Sequence, residues 1–319
     1  MLASFLNSIE AVGIILLLTA VGYFCAWRGW FSDQAKSFLS KFIMMIAVPF
    51  MCIYALRSRL TREMIFEAGP MLLVPLIVIT ITFLLSFFVG KALKLAKKSM
   101  GVFMMMASLS NTLFIGYPMC TELFGVECEP YIIMYYLVST CFTQGLGITL
   151  IKFSGDKENG LKHTPLTVLK KLLTTPPIIG IIAGIAIVML DIQLPGIVMS
   201  FSKYMNQVVS PLALLVTGKI IWDIGLKNLR IDLKLFVSLI FRFVISPGLC
   251  FLFCHWFGIT GMARDVFLVQ AAMPVVTQTV VAASEYEADE QFAAQGAAIS
   301  TIASFIVIPL LMLFLSATA

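Results

Sequence analysis

The chain has 319 residues, of which 60% are hydrophobic and only 12% charged, with a formal net charge of +5 and a mean hydropathy of +0.99. A soluble globular domain carries about a quarter of its residues as Asp, Glu, Lys and Arg, so the composition excludes an ordinary soluble globule and indicates an integral membrane protein. The positive balance does not mark a nucleic-acid binder, because the basic residues sit in short stretches between apolar runs, where they orient a membrane protein.

A helix needs about 20 apolar residues to cross the hydrocarbon core. Ten stretches qualify: 9–27, 36–56, 70–93, 101–121, 131–151, 174–190, 205–224, 235–257, 263–283 and 293–315. The first ends in Trp27 and Arg28, an aromatic and basic membrane border, and no basic segment precedes it, so it reads as a retained helix rather than a cleaved signal. The longest connection, 152–171, contains SGDKENGLKHT and reads as a solvated central loop. It divides the chain into a first half at 1–152, a loop at 153–173 and a second half at 174–319. Short loops and no soluble domain argue against a receptor.

The fourth and ninth spans stand apart. Gly101–Cys120, GVFMMMASLSNTLFIGYPMC, holds Ser108, Ser110, Asn111, Thr112, Gly116 and Pro118 in its interior. Proline removes a backbone donor and clashes with the preceding turn, and glycine weakens the helix. Gln270–Ala283, QAAMPVVTQTVVAA, sets Pro274 among Gln270, Thr277, Gln278 and Thr279. Both helices are expected to break near mid-membrane, at Pro118 and Pro274. Freed backbone groups at that depth must be buried in protein or line a watery cavity, and matched breaks in two halves point to a transporter binding site. The structural alternative is two kinked helices whose polar side chains satisfy their own backbone.

Of the 22 lysines and arginines, fifteen fall on one side of the spans, five on the other, and Lys219 and Arg242 within helices. The bias makes the richer side cytoplasmic and puts both termini outside. An odd number of spans per half inverts the second half. Pro49 in VPFMCIYAL and Pro211 in SPLALLVTG lie 162 positions apart, Pro118 and Pro274 lie 156 apart, and Pro75 and Pro247 lie 172 apart. These spacings agree loosely with an internal repeat, and frequent membrane prolines explain them equally.

At this point the chain resembles the auxin efflux carrier family, which includes bacterial malate-permease-like members. SNTLFIGYP is similar to the family's fourth-helix signature, an Asn followed by Gly five and Pro seven positions on: here Asn111, Gly116 and Pro118. AMPVVTQTVVAASEY is similar to its ninth-helix segment around Pro274, and STIASFIVIPLLM, SPLALLVTG and RFVISPGL fit its later helices. Leu113 stands where the family commonly has glycine, and Gln278 where it often has asparagine. The resemblance implies an all-α membrane protein of ten helices in two inverted five-helix repeats. Helices 4 and 9 are broken and crossed in a mobile domain, and helices 1, 2, 6 and 7 form a scaffold, often dimeric in relatives. It implies small organic anions, dicarboxylates among them, as substrates.

Physical chemistry agrees with that implication. Each broken helix presents a half-helix N-terminus with partial positive charge and free N–H donors, which suits a carboxylate. Asn111, Thr112, Thr277, Gln278 and Thr279 add neutral hydrogen bonds, and the same side chains are equally suited to capping the broken backbone. Lys219 and Asp223, four apart, share a helix face; Lys219 either reaches the interface or supplies a cation near the substrate. Arg242 has Asp223, Asp232 or the cavity as prospective partners. Glu10 has no assigned role, and His163 and His255 read as interfacial histidines. The seven cysteines form no CxxC pair and read mostly as small hydrophobes. No cofactor is expected; a coupling proton or sodium ion is left open. The alternatives are a sodium/proton antiporter or a sodium-coupled bile-acid-type symporter of the same architecture. An antiporter of that shape needs mid-membrane carboxylates, which spans 4, 5 and 9 lack. An intramembrane enzyme lacks its GxSxG or HExxH motif, and an ATP-driven pump lacks its phosphate loop.

Overall fold

A computed structural model describes residues 2–156, 170, 173–225 and 230–318. The central-loop positions 157–169, with His163, lie outside them. Among the described residues the protein is all-helical, and we number its helices α1 Leu2–Trp27, α2 Asp33–Arg59, α3 Arg62–Ala92, α4 Lys97–Ser108, α5 Gly116–Phe124, α6 Val126–Ser154, α7 Pro176–Met189, α8 Gly196–Ile224, α9 Leu233–Trp256, α10 Gly261–Ala271, α11 Gln278–Glu285 and α12 Glu290–Thr318. Seven of these, α1, α2, α3, α6, α8, α9 and α12, are long and apolar enough to cross a bilayer, and α7 is a shorter apolar helix. Leu17, Phe88, Ile306 and Leu310 are exposed on the helix sides. Trp27, Trp30 and Trp256 stand exposed at helix ends, where amphipathic rings suit the headgroup layer. The protein is a multi-pass membrane protein.

Proline leaves a legible mark on the long helices. Turns of π-helix at Ile43–Ala47 in α2 and Phe241–Ile245 in α9 directly precede Pro49 and Pro247. A proline ring collides with the carbonyl one turn back, and the wider turn relieves that collision without ending the helix. A third such turn, Thr143–Gly147, lies in α6 without a proline.

Helices α1, α2, α7 and α8 pack on one another, α8 lying against α1 and α2, and α7 against α2. Close approach depends on small residues: a Cβ on Gly22 would meet the Leu215 carbonyl oxygen at 2.2 Å, and one on Gly218 the Thr19 carbonyl oxygen at 2.0 Å. A second group gathers α4 with α3, α6 and α9.

Between these groups lie the two breaks. Helix α4 ends at Ser108, the chain is extended at Leu109, and helix resumes at Gly116. Helix α10 ends at Ala271 and helix resumes at Gln278. The first break thus falls at 109–115 and not at Pro118. Pro118 sits in the opening turn of α5, where a missing N–H removes no helical bond. Ser110 and Asn111, whose side chains compete for backbone groups, mark the break instead. Pro274 does lie within its break, as expected.

Candidate functional site

The two breaks meet. Ser110 and Val275 form an isolated antiparallel bridge. The Asn111 N–H donates to the Pro274 carbonyl at 2.7 Å, and the Val276 N–H to the Leu109 carbonyl at 3.3 Å. In an apolar medium unmade backbone bonds are costly, so each break satisfies the other. The Val275 N–H is taken by Ser300 Oγ of α12 at 3.0 Å, so a third helix buttresses the crossing.

Asn111 is the centre of the junction. Its Nδ2 donates to Thr277 Oγ1 at 2.9 Å, its Oδ1 accepts from the Phe114 N–H at 3.2 Å, and its carbonyl accepts from the Gly116 N–H at 2.9 Å. It ties the first break to the second and shapes the turn into α5. Gly116 is held by packing: a Cβ there would meet Oε1 of Gln270 at 2.4 Å. Gln270 is fully buried, its Nε2 reaching Cys120 Sγ at 3.5 Å and its Oε1 without a hydrogen-bond partner.

Two cavities at the crossing bear on the site; a third, of about 10 Å³, lies between Asn111, Ile115, Val275 and Thr277 and the helices α8 and α12. The inner one, about 40 Å³, is lined by Ser110, Asn111, Thr112, Leu113 and Phe114 of the first break, by Val276, Thr277 and Gln278 of the second, and by Tyr136, Ser139, Thr140 and Thr143 of α6, with Met44 of α2. The outer one, about 970 Å³, is wide and carries Lys36, Lys41, Asp223 and Glu290. Met44, Phe114, Thr277 and Gln278 border both. The inner cavity's lining contains no carboxylate or cation; its polar groups are hydroxyls, amides and backbone.

Asn111, Thr112, Thr277 and Gln278 therefore line the inner cavity, and Gly116, Pro118, Pro274 and Thr279 line neither of the two. Gly116, Pro118, Pro274 and Thr279 are buried in the packing around the crossing. Lys219 is not brought to the crossing cavities. Its Nζ is held by Asp223 and, at 3.0 Å, by Asp33, and Lys36 reaches Asp223 at 2.5 Å. It belongs to an ion cluster at the end of α8. Arg242 pairs with neither Asp223 nor Asp232. It is fully buried and donates to Ser246 Oγ at 2.7 Å and to the Ala271 carbonyl at 2.6 Å. That places a cation on the C-terminal end of α10, where the helix dipole is negative. Asp232 caps α9, accepting from the Leu235 N–H at 2.9 Å.

The α6 residues of the inner cavity escape a search for prolines. Their signal is the polar run Ser139, Thr140, Thr143 and Gln144 inside an apolar span, and Gln144 Nε2 approaches Gln278 Oε1 at 3.4 Å.

A multi-pass membrane protein whose interrupted helices cross at a polar cavity has the build of a membrane transporter. The comparisons say the same: a family model described as "Membrane transport protein" matches residues 7–312. The chain belongs to that family, the family of the auxin efflux carriers. It is 26% identical to the uncharacterized transporter MJ1031 of Methanocaldococcus jannaschii, over 94% of this chain and 96% of that protein. It is 23% identical to an uncharacterized transporter of Methanothermobacter thermautotrophicus, over 96% and 98%. It is 26% identical to the uncharacterized transporter YfdV of Escherichia coli K12, over 61% and 62%.

Proposed function

We propose that this transporter is a secondary carrier of small organic anions, dicarboxylates among them, working by alternating access at the crossing of the two broken helices. The observation that carries the reading is the junction itself. Two breaks satisfy each other's backbone beside a cavity lined by neutral donors, and that cavity shares four lining residues with a wide opening on one face. The start of α11, at Thr277 and Gln278, borders both spaces and offers a carboxylate a partly positive helix end. Neutral donors hold an anion weakly enough to release it. The inner cavity's lack of carboxylates weighs against the ion-exchanger reading.

Counted with α7 and the broken pairs α4/α5 and α10/α11, the long helices give ten crossings, in two inverted halves of five. The bridged residues Ser110 and Val275 are 165 positions apart, close to the 162 between Pro49 and Pro211. The charge bias makes the wide cavity cytoplasmic and the termini external in a cell inner membrane. The test is uptake of labelled mono- and dicarboxylates into proteoliposomes, with thermal stability across the same acids measured in parallel, since a ligand of the folded state raises it. Asn111→Ala is expected to abolish uptake while the protein still folds. Undiminished transport by that variant would remove Asn111 from the site.

A further inference from the structure

A pocket of about 480 Å³, separate from the crossing, lies between the end of α3, the start of α4 and the end of α6. Lys91 from the last turn of α3, Lys94 from the connecting turn and Lys97 from the start of α4 line it, with Phe87, Leu150 and Phe153 as its apolar wall. Close packing fixes its floor. A Cβ on Gly101 would meet the Leu150 carbonyl oxygen at 2.3 Å, and one on Gly90 would meet Met100 Sδ at 2.6 Å. The Gly101 N–H donates to Ser154 Oγ at 2.8 Å and ties α4 to α6. Phe153 is 71% exposed at the end of a span, which suits a ring bathed by acyl chains rather than by water.

The lysines of this pocket differ from others on the same side of the spans. Lys36, Lys98 and Lys234 each hold a carboxylate: Asp223 at 2.5 Å, Asp156 at 2.7 Å and Asp289 at 2.8 Å. Among the described residues, Lys91, Lys94 and Lys97 form no such pair, and no carboxylate lines the pocket. Lys91 Nζ lies over the Phe87 ring, 4.4 Å from its centre. Local structure does not call for lysine here either. The Leu95 N–H bonds the Gly90 carbonyl at 3.1 Å and the Lys94 N–H the Lys91 carbonyl at 3.0 Å. Lys94 thus takes the left-handed position, φ 50°, that glycine fills most readily. The same pair of bonds ends α1, and there the residue is Gly29, φ 75°. Lys97 opens α4, where the helix dipole disfavours a cation. Membrane orientation requires positive charge on this side, but not lysines converging on one pocket. The central-loop sequence 157–169 carries Lys157, Glu158 and Lys162, a positive balance that does not neutralise them.

We infer that this pocket binds the headgroup of an anionic phospholipid, with its phosphate among Lys91, Lys94 and Lys97 and an acyl chain along Phe153. The phosphate supplies the negative charge that the protein does not place there, and the chains stay in the apolar layer. A soluble phosphate answers to the lysines but leaves the apolar wall without a partner. The bound lipid clamps the start of α4 to α3 and α6, one half-helix away from the first break. The inference needs a membrane-spanning chain and no particular transport substrate.

The test is native mass spectrometry and thermal unfolding of the purified full chain in detergent. Phosphatidylglycerol, phosphatidylcholine with the same acyl chains, or glycerol phosphate is added. Phosphatidylglycerol is expected to stay bound and to raise the melting temperature, and the other two to do neither. Each lysine near an anionic headgroup strengthens binding about fivefold, so K91Q/K94Q/K97Q is expected to lose about a hundredfold. R28Q/R230Q removes two cations of the same side that lie outside the pocket, and it is expected to bind as wild type does. Lys94→Gly separates a ligand role from a packing role. Glycine suits the left-handed turn, so without lipid this variant is expected to melt no lower than wild type, yet to bind phosphatidylglycerol about fivefold more weakly. Equal retention of the two phospholipids overturns the site. An equal loss in R28Q/R230Q also overturns it, by reducing the effect to general surface charge. A rise with glycerol phosphate that matches phosphatidylglycerol overturns the lipid in favour of a soluble anion. If the triple variant does not fold, Lys94→Gly decides alone. A missing uptake signal with phosphatidylglycerol bound refutes the substrate reading and leaves the lipid site standing.

Discussion

At the crossing itself, neutral groups pair with one another: Asn111 joins Thr277 and the Phe114 N–H, and backbone meets backbone at Leu109, Pro274 and Val276, while the buried Arg242 lies on the end of α10 and Ser108, Gln270 and Thr279 each keep a buried oxygen without a hydrogen-bond partner. At the cluster around Asn206 of α8, the buried carboxyl group of Glu129, the phenol of Tyr117 and the Asn206 amide meet a partly buried arginine from α2, Arg59. Neutral pairs in low dielectric stay put across pH, because nothing in them titrates. The first ties the two breaks to each other, and the second ties α2, α5, α6 and α8 together through charged as well as neutral groups.

The largest expected effect comes from overfilling the joint. In Gly116→Val the new Cβ would meet the buried Gln270 Oε1 at 2.4 Å. Forcing extra carbon into a packed interior costs about 1–3 kcal/mol, so the melting temperature in detergent is expected to fall. Shortening the neighbour in G116V/Q270A is expected to recover part of the loss, because residues in contact couple. Full stability of G116V would mean that Gly116 serves the break's backbone geometry alone.

The joint was legible in sequence and the Asn206 cluster was not, for physical reasons. Ser110, Asn111, Thr277 and Gln278 stand out because polar residues inside an apolar span demand an explanation. The exact position of the first break was obscured because Pro118 is the visible helix breaker, while a proline is harmless in an opening turn. Arg59, Tyr117, Glu129 and Asn206 lie near span ends or look like ordinary interfacial residues, and they come from four separate helices. A charge at a span end reads as orientation. Only the packing of α2, α5, α6 and α8 shows that Glu129 is buried. For Lys219 the sequence left two readings open, reaching the interface or supplying a cation near the substrate, and the structure adds its ion pairs with Asp33 and Asp223, which no spacing beyond the 219/223 pair signalled.

A double-mutant cycle on Tyr117 and Glu129, using Y117F and E129Q, sharpens the contrast at intermediate size. Groups sharing one network couple by about 0.5–3 kcal/mol. The coupling measured from thermal or denaturant stability is expected to fall in that range, because Tyr117 Oη lies 2.6 Å from Glu129 Oε1. Strictly additive losses would mean that the two side chains do not depend on each other.

Thr277→Val is the smallest change and the cleanest control. Valine keeps the shape of threonine and removes only the oxygen that accepts from Asn111 Nδ2 at 2.9 Å. The site is partly buried, and Thr277 borders the wide cavity. Water can therefore replace part of the lost partner, and the cost is expected at the low end, about 0.5–1.5 kcal/mol. Because both partners are neutral, that cost should be the same at every pH at which the protein stays folded. A pH-dependent cost would mean that the crossing senses a titrating group after all.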